Sequence, residues 1–321
     1  MASSRGPAGS VKPTVVATLA TAGALQDLQT LLFSLALFNG DAAPKVYLFC
    51  DSAIDALIPT FKYPGRIVAR AALNPYAGKG RAEMERTAGR EFASQWFDFM
   101  CEKIRLLEWA FEEEGATGRK NGILFCDADI CFLAPLPAIP AGATLALSPH
   151  MIRAQDESRF GRYNGGFFWL SDPAHLAMWR KACQNSRFYE QSALEDVAAA
   201  LSVAVSSPEK LYEFPITQNY GWWRLWQAAG GADAARAAWS FGRNKMPAAA
   251  GVLIGGEPLG SVHTHFWETR DQATMEFNSW IKTWLGSLAH AGHAPAKRLL
   301  GWLNGGGSAG AQTPSKKSKI E

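Results

Sequence analysis

Residues 121–137 read NGILFCDADICFLAPLP, and this stretch decides the predicted fold. Its first part, residues 123–126, is an unbroken apolar run, which is typical of a strand buried on both faces of a parallel sheet. The run ends at two acidic residues, Asp127 and Asp129, before an apolar pattern resumes. Because open α/β sheets bind ligands at the carboxyl ends of their strands, the sequence predicts a ligand site at this D-x-D motif.

Two carboxylates one residue apart at the end of a buried strand are unfavourable without a partner. They repel each other, and burial disfavours the ionised form of both. A divalent cation offsets both effects, and hard oxygen ligands suit Mn²⁺ or Mg²⁺. The alternative is a turn with two solvated aspartates, so the interpretation of Asp127 and Asp129 as metal ligands depends on the residues that accompany them.

The composition indicates a globular protein without a nucleic-acid partner. The 321 residues are 48% hydrophobic, which is enough for the core of one large α/β domain or two small ones. The formal net charge of +3 is too small to favour nucleic-acid binding.

The cysteines and the N-terminal residues bear on the cellular compartment. The five cysteines are odd in number and include no C-x-x-C pair, a pattern typical of reduced thiols. Residues 1–13 carry no apolar segment of a signal peptide, and no window holds 18 consecutive apolar residues. We therefore expect a cytoplasmic protein with no transmembrane segment.

The order of the predicted elements indicates a nucleotide-binding type of sheet. Apolar runs at residues 14–20, 46–50 and 66–71 predict strands, and leucines at helical spacing within residues 24–38 predict a helix. Such a β-α-β-α-β order is typical of a parallel sheet flanked by helices. The sequence has no G-x-G-x-x-G after the first strand and no P-loop motif, which disfavours ordinary dinucleotide and P-loop sites.

We predict one domain over residues 13–304, with a nucleotide-binding half at 13–137 and an acceptor half at 138–304. Residues 1–12 are short and polar, and residues 305–321 combine glycine and serine with a lysine-rich end. Both terminal segments are expected to be disordered.

One lysine lies on the apolar face of a predicted helix at residues 91–114. Lys103 is four residues from both Phe99 and Leu107, which belong to the apolar stripe of that helix. A lysine in such a place either extends to solvent or needs an anion. The anion is a bound diphosphate or the Asp pair in one interpretation, and a structural carboxylate in the other.

Two further segments add candidates for substrate contacts. Asn164, Gly165 and Gly166 precede a predicted aromatic strand, where two glycines allow the backbone to approach a ligand closely. The alternative there is an Asn-Gly turn. Trp222 and Trp223 are adjacent and cannot both face a core, so one is a candidate platform for an acceptor, with surface packing as the alternative.

Two histidines lie in a predicted late strand at residues 261–267. His263 and His265 share one face of that strand because side chains alternate with a period of two. A pair of imidazoles on one face is typical of a metal or phosphate site, whereas a single core histidine is more often structural.

Taken together, these motifs resemble GT-A glycosyltransferases, and within them the nucleotide-diphospho-sugar transferases related to glycogenin. The resemblance rests on the order of a strand ending in D-x-D, an Asn-Gly-Gly, an acidic residue followed by Gln, and a late His-Phe. It extends over residues 14–268. It implies an α/β fold of the GT-A (Rossmann-like) type, with a mostly parallel central sheet flanked by helices.

The resemblance also implies roles for individual residues. Asp127, Asp129 and a late histidine would bind Mn²⁺ or Mg²⁺ together with the donor diphosphate; His265, which precedes Phe266, matches best, and His263 is the alternative. The other matched positions are Asn164, Gly165 and Gly166 for the donor sugar, Glu190 and Gln191 near the reacting carbon, Asp51 for the base or ribose, and Lys103 before the D-x-D. Glu190 stands where the family has an aspartate.

One segment departs from the glycogenin pattern. Where that pattern has a glycine and then a lysine for the diphosphate, this chain has Glu268 and Asp271. Arg270 is the nearest cation, so we include it as a second candidate for the diphosphate contact.

The resemblance implies a metal-dependent glycosyltransferase that moves a hexose or pentose from a nucleotide-diphospho-sugar, with UDP as the expected carrier, to a hydroxyl of a glycan or protein. The resemblance favours retention of configuration, whereas inversion would need Glu190, Glu195 or Asp196 as a base. Alternatives are a non-catalytic sugar- or nucleotide-binding module of the same fold, a sugar nucleotidyltransferase, and a D-x-D phosphatase. The last two are disfavoured because the loop after the first strand has no basic residue and the D-x-D does not follow the first strand.

Overall fold

The computed structural model describes residues 9–204, 210–241 and 251–305. The strands are, in chain order, β1 (Ser10–Val11), β2 (Val15–Ala20), β3 (Lys45–Cys50), β4 (Ile67–Arg70), β5 (Ile123–Cys126), β6 (Ile130–Phe132), β7 (Ile139–Pro140), β8 (Leu145–Pro149), β9 (Tyr163–Leu170), β10 (Leu211–Glu213), β11 (Tyr220–Gly221), β12 (Trp239–Phe241), β13 (Val252–Ile254), β14 (Glu257–Pro258) and β15 (Ser261–His263). The helices are α1 (Leu25–Asn39), α2 (Ser52–Asp55), α3 (Arg81–Arg86), α4 (Gln95–Glu114), α5 (Ala116–Asn121), α6 (Ala154–Phe160), α7 (Ala174–Cys183), α8 (Tyr189–Ala204), α9 (Trp223–Trp226), α10 (Gly231–Ala237), α11 (Gln272–His290) and α12 (Ala294–Asn304).

The predicted terminal segments are only partly covered by these ranges. Residues 1–8 and 306–321 lie outside the described residues. Within the N-terminal segment expected to be disordered, Ser10 and Val11 instead form β1, which pairs with β7 in antiparallel register. The sequence analysis missed this strand because two residues are too short to show a period.

The central sheet has seven strands among the described residues, in the spatial order β10-β8-β9-β5-β2-β3-β4. Of these seven, β9 runs antiparallel to its neighbours β5 and β8, while the other pairs are parallel. The predicted α/β class with a mostly parallel central sheet is therefore confirmed. The strand that ends in the acidic pair, β5, lies in the middle of the sheet between β2 and β9.

Two hydrophobic cores cover the two faces of this sheet. Ile123 and Phe125 of β5 face the core that contains the apolar side of α4. Leu124 and Cys126 face the opposite core, which contains the leucines of α1. This two-sided burial explains why the run in β5 is apolar at every position, as the sequence analysis expected.

The helix that carries Lys103 begins later than predicted. α4 starts at Gln95 because the hydroxyl of Ser94 accepts a hydrogen bond of 3.2 Å from the backbone N–H of Phe97, which caps the helix. Lys103 lies in the middle of α4 and is 1% exposed. Its position on the apolar stripe therefore places an ammonium group beneath the sheet, close to the end of β5.

The Asn-Gly-Gly segment lies inside a strand, whereas the sequence analysis placed it before one. β9 begins at Tyr163 and pairs with β8 and β5 on its two sides. A Cβ atom on Gly165 would lie 2.8 Å from Oε1 of Glu190, and one on Gly166 would overlap Oδ2 of Asp127. The glycines thus make room for side chains of the protein itself.

A second, smaller sheet packs with the last two helices of the described chain. β6, β11 and β15 form a small sheet, and α11 and α12 pack with it in a third hydrophobic core. β15 ends at His263, where its partner β6 begins at Ile130, so the predicted strand over residues 261–267 is shorter than expected. No helix in the described ranges is both long and apolar enough to cross a membrane.

Candidate metal and substrate site

The acidic pair lies in the turn from β5 to β6. The backbone N–H of Asp127 donates to the carbonyl of Gly166 at 2.8 Å, and the N–H of Thr264 donates to the carbonyl of Asp129 at 3.0 Å. These bonds fix the turn between β9 and the segment that follows β15. Three segments that are far apart in the sequence therefore meet at the carboxyl end of the central strand.

Asp127, Asp129 and His263 form a group that could hold a metal ion. One ligand atom from each residue can be chosen so that all three lie within 4.8 Å of one another. Nε2 of His263 lies 3.1 Å from Oδ1 of Asp129. The two carboxylates are those that the sequence predicted, and the histidine is the one that the resemblance ranked second.

A chain of hydrogen bonds fixes the tautomer of His263. The backbone N–H of Gly166 donates to Oδ1 of Asn164 at 2.9 Å, which identifies that atom as an acceptor. The amide nitrogen of Asn219 therefore donates to the same oxygen at 3.0 Å, and Oδ1 of Asn219 faces Nδ1 of His263 at 2.8 Å. Because this oxygen can only accept, Nδ1 carries a proton, and Nε2 is the ring atom that faces the carboxylates and could bind a metal.

His265 also approaches the acidic pair but has a second partner. Its Nδ1 lies 2.8 Å from Oδ2 of Asp27 at the start of α1, and its Nε2 lies 3.4 Å from Oδ2 of Asp129. Asp129 first, and then Asp27, raise the pKa of His265 above its ordinary value, although the side chain is 60% exposed and solvent screens these charges. His265 is therefore a cation between two carboxylates, and Asp27 is a site residue that the sequence analysis missed.

Both imidazoles, those of His263 and His265, lower the pKa of Asp129. Burial by itself would raise the pKa of its carboxyl group, but His263 and then His265 hold that pKa below its ordinary value. The carboxyl group therefore stays ionised at neutral pH, which is the form that a metal ligand requires.

Lys103 pairs with two carboxylates at once. Its ammonium group lies 2.8 Å from Oε1 of Glu190, 2.9 Å from the carbonyl of Gly165 and 3.2 Å from Oδ1 of Asp127. Burial by itself would lower the pKa of Lys103, but Asp127 and Glu190 raise it above its ordinary value. An ammonium group has three donors, and these three oxygens engage all of them. Of the anions that the sequence analysis considered for Lys103, these contacts include one member of the Asp pair, Asp127, and a structural carboxylate, Glu190.

The acidic residue and the glutamine that follows it have different surroundings. Glu190 is 1% exposed and lies beneath Gly165, where it faces Lys103. Oε1 of Gln191 accepts a hydrogen bond of 3.0 Å from the backbone N–H of Gly165, and its Nε2 donates to the carbonyl of Phe160 at 2.9 Å. Gln191 therefore reaches the open side of β9, and Glu190 does not.

Two predicted substrate contacts, Asp51 and Arg270, are not among the described residues that line the cavity beside the acidic cluster. Asp51, expected to bind the base or ribose, is 2% exposed and accepts hydrogen bonds from the backbone N–H groups of Ile54 at 3.0 Å and Ala22 at 2.8 Å. It caps α2 and ties the loop after β2 to the end of β3. Arg270 is exposed in the loop before α11 and is absent from the walls of the cavity described next, as far as the described residues define it.

A cavity of about 310 Å³ opens beside the carboxylates and is lined by Asp129, His263 and Gln191. This volume is at the lower end of the range for small-molecule sites, about 300–1,000 Å³. Trp222 and Trp223 both line it, and the ring of Trp223 meets that of His263 edge-on, with 5.1 Å between the centroids. Both tryptophans thus reach the site, where the sequence analysis expected one.

A buried arginine, which sequence reasoning also missed, supports the tryptophan wall. Arg224 is 2% exposed, and its guanidinium group donates to backbone carbonyls before α9, those of Ile216 and Gln218, both at 2.6 Å. It also donates to the carbonyls of Pro149 and His150 at the end of β8. Burial lowers the pKa of Arg224 to about 10, so the group remains a cation that joins the two segments.

The comparisons with known proteins concern the fold. No protein-family model matches the sequence, and no curated protein is similar to it in sequence. The apo form of mouse xyloside xylosyltransferase 1 is 14% identical with a TM-score of 0.38, over 66% of this chain and 89% of that one. The apo form of the glycosyltransferase GlyE of Streptococcus pneumoniae is 13% identical with a TM-score of 0.44, over 86% of this chain and 64% of that one. Both of these proteins are named as transferases of sugars.

The first prediction concerns the buried Lys103. Replacing it in Lys103→Met leaves the carboxylates of Asp127 and Glu190 without their cation, so we expect a loss of about 3–5 kcal/mol in the free energy of unfolding. Urea denaturation of Lys103→Met, Glu190→Gln and the double variant measures the coupling between the two side chains. We expect the double variant to be more stable than the sum of the single losses implies. Strictly additive losses would contradict the pairing.

A buried neutral histidine generates a second prediction, on pH dependence. His150 lies 2.7 Å from the carbonyl of Gly161 through Nδ1, and its Nε2 faces the amide nitrogen of Asn164 at 3.3 Å. Burial, aided by the nearby charge of Arg224, lowers the pKa of His150 to about 4. The unfolded chain therefore takes up this proton near pH 6.5, and the folded chain does so only near pH 4.

Between pH 6.5 and pH 4 the unfolded state binds more protons than the folded state. The contribution of neutral His150 to the free energy of unfolding is therefore complete above pH 6.5 and is lost as the pH falls towards 4. We expect a loss of up to about 3 kcal/mol across the window. The difference in unfolding free energy between the wild type and His150→Gln should therefore shrink on acidification. Parallel pH profiles for the two proteins would show that His150 does not titrate in this way.

Proposed function

We propose that this protein is a metal-dependent glycosyltransferase that moves a sugar from a nucleotide-diphospho-sugar to a hydroxyl acceptor with retention of configuration. The observation that carries the proposal is the group of Asp127, Asp129 and His263 beside a cavity at the carboxyl end of the central strand. The ligands come from both predicted halves of the domain, residues 13–137 and 138–304, so the site would lie where a donor and an acceptor meet.

The residues of this group fit a divalent cation such as Mn²⁺ or Mg²⁺. Asp127 and Asp129 offer hard oxygen atoms, and Nε2 of His263, which faces them, would offer a nitrogen ligand once it is unprotonated. Gly166 leaves the space between them free, because a Cβ atom there would overlap Asp127 and crowd the imidazole of His263. When bound, the cation would act as a Lewis acid that stabilises negative charge on the leaving diphosphate.

The other residues of the site would position these groups and the substrates. Lys103 holds Oδ1 of Asp127 at 3.2 Å, and we assign it a positioning role in place of the expected diphosphate contact. The side chain of Gln191 is held by Gly165 and Phe160 on the open side of β9, where it would face the donor sugar. Trp222 and Trp223 would form the platform for the acceptor.

The proposed retention of configuration follows from the carboxylates of the cavity. Among the described residues that line it, Asp129 is the single carboxylate, and it belongs to the proposed metal site. Glu190 is buried against Lys103, and Glu195 forms an ion pair of 2.7 Å with Arg187. An inverting transferase needs a general base near the acceptor hydroxyl, and the cavity offers no uncommitted carboxylate for that task.

The donor, acceptor and compartment are proposed from the motifs. A UDP-sugar is the donor that the resemblance implies, with a glycan or protein hydroxyl as the acceptor. The five cysteines are buried free thiols, which supports a reducing compartment such as the cytoplasm.

The third prediction tests the proposed activity. Purified protein is incubated with Mn²⁺, a panel of nucleotide-sugars and candidate acceptors, and released nucleoside diphosphate and glycosylated product are measured. We expect Asp127→Asn and Asp129→Asn to lower turnover at least 100-fold while melting cooperatively, since each loses a charged ligand. Asp196→Asn, at an exposed carboxylate of α8, is the matched control and should retain activity.

The same assay separates the alternatives. Full Mn²⁺-dependent transfer by Asp127→Asn would refute the proposed metal site. Nucleotide-sugar binding without release of nucleoside diphosphate, for every donor and acceptor tried, would instead favour a non-catalytic binding module.

The fourth prediction ranks the two histidines. Because Asn219 engages Nδ1 of His263 and leaves Nε2 facing the carboxylates, His263→Ala should weaken Mn²⁺ binding more than His265→Ala does. Asn219→Ala should weaken it about 10- to 100-fold, as is typical when the partner of a metal-binding histidine is removed. Titration calorimetry with Mn²⁺ measures all three variants. A larger loss for His265→Ala than for His263→Ala would return the assignment to the histidine that the sequence resemblance favours.

A further inference from the structure

We propose that a groove of about 660 Å³, formed by α1, residues 57–64 and α12, binds a single-chain amphiphile with an anionic head group. The groove shares no lining residue with the cavity beside the acidic pair among the described residues. It is therefore a separate site, and the proposal does not depend on the glycosyltransferase function.

The walls of the groove are apolar and fixed. Phe33, Ala36 and Leu37 line it from one stripe of α1, with Phe61 opposite. The ring of Trp302 on α12 stacks on that of Phe33, with 4.5 Å between the centroids and 7° between the planes. Because the indole is also held by a hydrogen bond from its Nε1 to Thr30 Oγ1 at 3.1 Å, this wall is preformed.

Two hydroxyl groups that line the groove are engaged within the protein. The hydroxyl of Tyr63 donates to the carbonyl of Pro44 at 2.7 Å, and the hydroxyl of Thr60 donates to the carbonyl of Leu57 at 2.6 Å. Polar groups of a sugar or nucleotide buried against the apolar walls would therefore find no partner in these hydroxyls, which is unfavourable. An alkyl chain has no such requirement, so the walls favour a hydrocarbon ligand.

The charges at the groove favour an anionic head group. Lys62 and Arg298 line the groove, are exposed, and form no ion pair with any residue that the structure describes. Asp41 is the one carboxylate among the lining residues of the described chain, so the cations are in excess by one. A carboxylate or phosphate head group at Lys62 and Arg298 would balance this charge while its chain fills the groove.

Charge also argues against the C-terminal segment as the occupant. α12 contributes Trp302 to the groove, and residues 306–321 follow it in the chain. That segment carries Lys316, Lys317 and Lys319, so it would bring further cations to a groove that already has an excess of them.

The fifth prediction is measured with two detergents of opposite charge on the full chain. Titration calorimetry uses dodecanoate and dodecyltrimethylammonium, both below their critical micelle concentrations. We expect dodecanoate to bind at least tenfold more tightly, and decanoate to bind about tenfold more weakly than dodecanoate because two methylene groups are removed. Equal affinities for the two head groups, or no binding of dodecanoate, would overturn the proposal.

Variants locate the binding in the groove. Ala36→Trp should fill it and weaken dodecanoate binding more than tenfold. The double variant Lys62→Glu, Arg298→Glu changes only exposed residues and should reverse the preference between the two detergents. Lys297→Glu, at an exposed lysine of α12 outside the groove, is the matched control and should bind as the wild type does. Unchanged binding by the double variant would overturn the proposal even if Ala36→Trp does not fold.

Two other occupants give distinct results. A concentration-dependent dimer in sedimentation experiments that Ala36→Trp abolishes would assign the groove to a second copy and overturn the proposal.

A full-chain variant with Lys316, Lys317 and Lys319 changed to Glu should bind dodecanoate with unchanged affinity. A more than tenfold change in that affinity would assign the groove to the C-terminal segment. Release of nucleoside diphosphate should be the same in all these variants, so failure here leaves the proposed transferase activity intact.

Discussion

The site depends on one buried cation, the ammonium group of Lys103. It joins α4 to the end of β5 through Asp127, to β9 through the carbonyl of Gly165, and to α8 through Glu190. A charge this deeply buried is tolerable only when it is paired, so each of these elements must be in place for the others to be stable. The same contact offsets part of the repulsion between Asp127 and Asp129, which would otherwise oppose folding without a bound cation.

A chain of neutral hydrogen bonds determines the chemistry of the neighbouring imidazole. It begins at the backbone N–H of Gly166, passes through Asn164 and Asn219, and ends at Nδ1 of His263. Each amide side chain in this chain can pair its donor and acceptor with its neighbours in only one orientation. The backbone N–H of Gly166 in β9 therefore determines that Nδ1 of His263, on another sheet, carries a proton. This arrangement requires glycine at positions 165 and 166. A Cβ atom on Gly165 would collide with Glu190, and one on Gly166 would collide with Asp127.

Much of the fold and part of the site follow from local patterns. The apolar run of residues 123–126 predicts a strand buried on both faces, and that strand is the middle of a mostly parallel sheet. Its end places Asp127 and Asp129 at the edge where ligands bind. The position of Lys103 on an apolar stripe allows either extension to solvent or a nearby anion, and the structure shows the second. The strand and the position of the acidic pair at its end could be predicted because both depend on the periodicity of the apolar residues.

The sequence by itself therefore determined the sheet and the place of the acidic pair at the end of its central strand, while the tertiary structure decided which side chains meet there, including the carboxylates that pair with Lys103. A period of two puts His263 and His265 on one face, but only the end of β15 and the contact with Asn219 distinguish them. Asn219 and Arg224 belong to no local pattern, because their partners lie on segments far away in the sequence. Glu190 matched a motif yet lies beneath β9, since burial is set by the packing of whole elements and not by the residue itself.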